Sequence, residues 1–167
     1  MTGTTTLPDL LAVVGPLFEK CAPDEQRILL AVLERLAAEH YRRWANGVSD
    51  PEQKRDFLTA AALEEHIASV AEGLEPKAQE IAERLWKRFP DLRSLYADAI
   101  ANLSDTQQWE VQSAGEHGGA GLWHTFAKAE ANPEIRAKLL ACAVADEENS
   151  QFLIRVLEKG RSRLPRH

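Results

Sequence analysis

Six acidic side chains are spaced so that a helical protein could gather them around metal. Glu34 and Glu116 each stand alone in apolar surroundings, and about thirty residues after each comes an acidic pair, Glu64-Glu65 and Asp146-Glu147. Glu34 lies beside Leu30, Leu33, Ala37, Tyr41 and Trp44, whose three- and four-residue steps mark the buried face of a helix. Glu116 has the same setting among Trp109, Ala120, Trp123 and Ala127. A buried carboxylate without a partner is costly, and a proton, a cationic side chain or a metal ion relieves it. Two readings follow. In one, the acids gather near mid-bundle and hold metal. In the other there is no cofactor: Arg or Lys from neighbouring helices neutralises the acids, or they share protons in hydrogen-bonded pairs.

The segment around Glu116 is unusual in a second way. Gly115, Gly118, Gly119 and Gly121 crowd one helical stretch, and each costs roughly 0.5–1 kcal/mol relative to alanine in a helix interior. Either two backbones approach closely there, or the helix opens beside Glu116 for a small molecule. On the second reading Gly118 and Gly119 line a pocket, with Tyr41 and Trp123, two turns from the lone glutamates, shaping it. His66, next to Glu65, is about 100° round the helix and reaches the acids only through a local distortion such as a π-bulge; otherwise it is a half-exposed histidine. His117 and His124, with Glu110, share a helix face that is either a second ligand stripe or solvent-facing. Cys21 and Cys142 lack CxxC spacing and read as buried reduced thiols.

The elements that must position these residues are helices. Ala, Leu, Glu and Arg dominate, and 167 residues suit one domain with a real core. A short helix over Leu7 to Lys20 is interrupted at Gly15-Pro16. Asp24 caps a long helix to Asn46-Gly47, and Asp50-Pro51 opens another to about Gly73. Segments from Pro76 to Phe89 and from Asp91 to about Asn102 form a crossover; Ser104 caps a helix to about Glu130, and Asn132-Pro133 starts the last, ending near Gly160. The resulting division is an extra N-terminal helix in 1–22, a bundle over 23–160 and a tail over 161–167.

Shifted by 82 residues, the chain aligns with itself without a gap. Glu34 falls on Glu116, Pro51 on Pro133, Leu58 on Leu140, Ala61 on Ala143 and Glu65 on Glu147; Tyr41 meets Trp123, Phe57 meets Leu139 and Glu64 meets Asp146. Each copy, 23–74 and 104–160, is then a helical hairpin that cannot bury its apolar face alone, and 75–103 is long enough to cross the bundle between them.

With a lone Glu and a later acidic motif in each copy, the chain over about Ala31 to Gly160 resembles the ferritin-like, rubrerythrin-type di-iron carboxylate proteins. The resemblance implies an all-α, ferritin-like four-helix bundle. It also implies a carboxylate-rich, di-metal site acting as an oxidoreductase on oxygen, peroxide or a small substrate. Glu34 and Glu116 take the place of the family's lone glutamates, and Glu65 and Glu147, with Glu64 beside them, that of its Glu-x-x-His glutamates, so the resemblance implies that they chelate or bridge two divalent ions, iron or manganese. The histidines are missing: Ala68 and Ser150 stand three residues on, and Ile67 and Asn149 do so after Glu64 and Asp146. Four carboxylates alone favour hard ions such as manganese or magnesium, whereas imidazole helps retain iron or zinc. The alternative is a degenerate, metal-free bundle serving as an interaction or small-ligand-binding module.

Composition narrows the partners. A net charge of −6 and a pI near 5.4 give no electrostatic footprint for nucleic acid, and the basic stretch from Lys159 to His167 reads as a solvated helix end. No apolar run approaches a membrane span, and the N-terminus has no signal-like core. The expectation is a cytoplasmic protein, a homo-oligomer, most simply a dimer, with a small-molecule substrate the sequence does not name.

Overall fold

The computed structural model describes residues 6–162, with side chains through 160. The described residues form seven helices and no strand: α1 (Leu10–Phe18), α2 (Pro23–Gly47), α3 (Pro51–Gly73), α4 (Ala78–Arg88), α5 (Leu92–Ile100), α6 (Asp105–Ala129) and α7 (Pro133–Ser162). Of the expected tail, 163–167 lie outside the described residues. Among the described residues, no helix is long and apolar enough to cross a membrane.

Short polar caps set the helix starts. Asp50 accepts from the Glu52 N–H at 2.9 Å, and Asn132 from the Glu134 N–H at 2.9 Å, each followed by a proline at the first helical position. Ser104 and Gln107 cap α6 reciprocally. At α2 the expected cap, Asp24, lies inside the first turn. Pro23 has the fixed φ and missing donor that suit the first turn, so Ala22 becomes the boundary and Glu25 folds back to its N–H at 3.1 Å. The expected break at Gly15-Pro16 is also absent: α1 runs through Pro16. Pro16 and Ala12 both face solvent, so the carbonyl deprived of its donor is left to water.

Cross-helix contacts fix the directions. Between α2 and α6, Arg27 meets Glu130, Glu34 meets Trp123, Tyr41 meets Glu116 and Trp44 meets Gln108; one number rises as the other falls, so the helices are antiparallel. The same reasoning applies to α2 with α3, from Arg35–Glu72 and Arg42–Glu65. It applies to α6 with α7, from Ser113–Ser150 and His117–Glu147, and to α3 with α7, from Phe57–Phe152 and Glu64–Asn149. Hence α3 and α6 run the same way, and α4 and α5 must carry the chain back along the bundle. Arg88 on α4 grips Glu25 near the start of α2 at 2.8 and 3.1 Å, and Arg93 on α5 pairs with Glu39 further along it.

Several pairs of positions 82 residues apart share environments. Phe57 and Leu139 are fully buried, Ala61 and Ala143 nearly so, and Leu58 and Leu140 are both exposed. The core is continuous from α2 through α7, and α1 adds Leu10 and Val14 to it.

Candidate functional site

One side chain from each of the four long helices meets at mid-bundle: Glu34 from α2, Glu64 from α3, Glu116 from α6 and Asp146 from α7. One oxygen of each lies within 4.8 Å of one from every other. All four are buried, Glu64 and Asp146 completely. On α3 the buried face runs through Phe57, Ala60, Ala61, Glu64, Ile67, Ala68 and Ala71, the step pattern of a helix stripe. Glu64 belongs to that stripe.

The expected inward glutamates Glu65 and Glu147 are therefore corrected. One residue further on, each is turned about 100° away. Glu65 binds Arg35 and Arg42, the latter at 3.0 Å, at the surface. Glu147 accepts from His117 at 2.7 Å and from Gln151 at 3.0 Å. His66 is exposed on an uninterrupted α-helix, so no π-bulge brings it inward. His117, His124 and Glu147 line an open groove of about 800 Å³ on α6 and α7, outside the acid cluster.

Outer donors orient the acids. Trp123 donates its indole N–H to Glu34 Oε1 at 3.0 Å. Tyr41 donates its hydroxyl to Glu116 Oε1 at 2.9 Å, and Gln112 its amide to the same oxygen at 2.7 Å. Tyr96 donates in turn to Gln112 Oε1 at 2.6 Å. Asn149 donates to Glu64 Oε1 and to the Ala60 carbonyl, the latter at 3.2 Å. Glu64 Oε2 and both oxygens of Asp146 have no donor. Tyr41 and Trp123, expected to shape a pocket, are fully buried and each anchors the lone glutamate of the opposite hairpin.

No cationic side chain among the ion pairs of the described residues reaches these four acids; Arg35, Arg42, Arg84 and Arg88 are engaged with Glu65, Glu72 and Glu25. Burial, reinforced by the Glu116 charge, pushes the Glu34 carboxyl up to about 8. Burial likewise raises Glu116 to about 7. Glu64 and Asp146 move well above the carboxylate range, through burial and then through the neighbouring carboxylates. Without a counter-ion the cluster is a store of protons; a divalent cation would replace them.

The glycines of α6 divide by what they face. A Cβ on Gly119 would lie 2.7 Å from Asp146 Oδ2, so this glycine makes room for the acid. Gly118 and Gly115 receive Leu11 and Leu10 of α1, at 2.2 and 3.0 Å from the would-be Cβ. The space at Gly118 is thus filled by a side chain and is no opening. A small cavity of about 40 Å³ does lie beside Glu34 and Glu116, roofed by Leu10, Leu11 and Val14 and bordered by Gly115 and Gly119. Gly121 meets nothing within 4 Å. Gly121→Ala should therefore stabilise the fold by roughly 0.5–1 kcal/mol, while Gly119→Ala, which drives a methyl into Asp146, should destabilise it. Urea denaturation of the two variants checks the opposite signs.

Gln112, Tyr96 and Asn149 were not singled out as site residues in the sequence. Gln112 and Asn149 carry a faint signal, since Gln112 is one turn before Glu116 and Asn149 three residues after Asp146. Tyr96 carries none, because it comes from the crossover.

The fold and site together define an all-helical protein with a buried four-carboxylate cluster. No family model, curated protein or solved structure matches the chain.

Proposed function

We propose that the four acids bind a hard divalent metal ion, in a bundle of ferritin-like arrangement descended from a duplicated hairpin. The observation that carries this is the cluster itself: four buried carboxylates from four helices, oxygens within 4.8 Å, no cationic side chain among them, and three oxygens without any donor. Hard ions hold oxygens at roughly 2.1–2.4 Å, so donors on opposite sides of one ion stand about 4.2–4.8 Å apart. The cluster has that span as it stands. A second ion would require carboxylates to turn and bridge, which Asp146, with both oxygens free, is best placed to do.

The ligand set is all oxygen. Ile67 and Asn149 occupy the positions where imidazoles would strengthen iron or zinc binding, so manganese or magnesium is favoured. A manganese or iron ion held there would supply one-electron chemistry toward dioxygen or peroxide. The protein's own contribution is to fix the acids through Trp123, Tyr41, Gln112 and Asn149, and to exclude bulk water with α1. The 40 Å³ cavity beside Glu34 and Glu116 has room for about one water-sized molecule.

Elemental analysis of protein purified with added manganese or iron, then desalted, tests the proposal. At least one ion per chain is expected, and Glu34→Gln combined with Glu116→Gln should lower affinity by roughly 100-fold or more. Protein that retains no ion, and whose melting temperature manganese does not change, would instead be the metal-free module, its acids protonated.

A further inference from the structure

A second pocket, of about 370 Å³, opens between the C-terminal half of α3 and the N-terminal half of α7. Its size falls within the range of small-molecule sites, and at about 30 Å³ per heavy atom it takes a body of about a dozen atoms. The walls are apolar: Ile67, Val70, Leu74, Cys142 and Ala145. Lys138 and His66, both exposed, stand at the mouth. The lining holds no acidic residue, although the chain as a whole carries a net charge of −6. Lys138 makes no ion pair among the described residues.

The inner wall backs onto the acid cluster. Ile67 is one turn after Glu64 on α3, and Cys142 one turn before Asp146 on α7. Both are buried, and the Asp146 and Glu34 charges are near enough to help burial push the Cys142 thiol up to about 12. That keeps the thiol neutral, and with Ile67 it forms an apolar floor beneath the partly exposed Val70 and Leu74.

We propose that this pocket binds a monocarboxylate with an apolar body, its carboxylate at Lys138 and its tail against Val70 and Leu74. A positive mouth above an apolar shaft matches such a molecule at both ends. This site goes beyond the metal reading and holds whether or not an ion is bound.

Calorimetric titration of the full chain at pH 7.5 with octanoate, octan-1-ol and octylamine tests it. A protein of net charge −6 favours octylamine at any non-specific site, so tighter binding of octanoate than of either control must come from the pocket. Lys138→Glu should weaken octanoate at least tenfold and leave octan-1-ol unchanged. Ala141→Phe, an exposed position on the pocket wall that tolerates a larger side chain, should abolish both. Absence of octanoate binding, equal binding of the three ligands, or octanoate binding that survives Ala141→Phe overturns the proposal.

Discussion

Asp146→Asn makes the metal-free protein more stable at pH 8 and at the same time removes its response to manganese. Asp146 is fully buried, neither of its oxygens has a donor, and it faces three other carboxylates. An amide of the same shape is neutral at every pH, and its N–H groups can donate to the neighbouring acids. Burial holds the Asp146 proton well above the ordinary carboxylate range while the unfolded chain releases it, so keeping the acid neutral costs stability at pH 8; an amide has no proton to keep, and a gain of about 2 kcal/mol is expected here. On the proposed metal reading, manganese should stabilise the unaltered protein by mass action, by roughly 2.7 kcal/mol at one hundred times its dissociation constant. The variant should lose most of that. Urea denaturation of both proteins, in chelator and in manganese, gives the four stabilities needed. If the variant is less stable than the parent in chelator, the cluster is not the liability that its burial implies.

The second large effect is on pH. In the metal-free protein Glu116 and Glu34 hold their protons up to about 7 and 8, against an ordinary value of 4.5, and burial holds those of Glu64 and Asp146 well above the ordinary carboxylate range too. An unfolded chain has released these protons by about pH 5. The native state therefore binds more protons than the unfolded state across this window, and stability falls as pH rises through it. The slope approaches 1.4 kcal/mol per pH unit for each proton retained.

His40 opposes this at the acid end. It is buried against Tyr96 and Trp44, accepts from Arg43, and is lowered by burial to about 4 from 6.5, so its contribution rises with pH between those values. The fall is thus clearest from pH 6.5 to 8. Saturating manganese should flatten or reverse it, because the ion displaces the protons and its affinity grows as they leave. Thermal melts in chelator and in manganese across this range check the sign, and a pH indicator should register proton release when manganese is added at pH 7. Metal-free stability that rises between pH 6.5 and 8 would contradict the assignment of these acids as protonated.

How the site was legible follows from where its information lies. Glu34 and Glu116 sit in apolar stripes of their own helices, so one-dimensional periodicity is enough to turn them inward. The same test was available for α3, where Phe57, Ala60, Ala61, Ile67 and Ala68 set a stripe that includes Glu64 and leaves Glu65 outside. Identity between Glu65 and Glu147 pointed the other way. Those two acids match because both sit just off the inner face, where Arg35, Arg42 and His117 are within reach. Pairing of positions along the chain locates shared environments, and cannot by itself say whether the environment is the core or its rim.

The glycines make the same distinction. Their cost in a helix announces that something must approach α6, and periodicity could not say what. Only the packed structure shows that Leu11 fills the space at Gly118 while Asp146 fills that at Gly119. Tyr96 and Gln112 are likewise joined by the path of the crossover. Helix class, the proline-started turns and the two lone glutamates were written in the sequence, because each depends on neighbours within one or two turns. Which acid of each pair enters the cluster, which donors hold it and what lies over it depend on side chains far apart in the chain, and only the tertiary structure decided them.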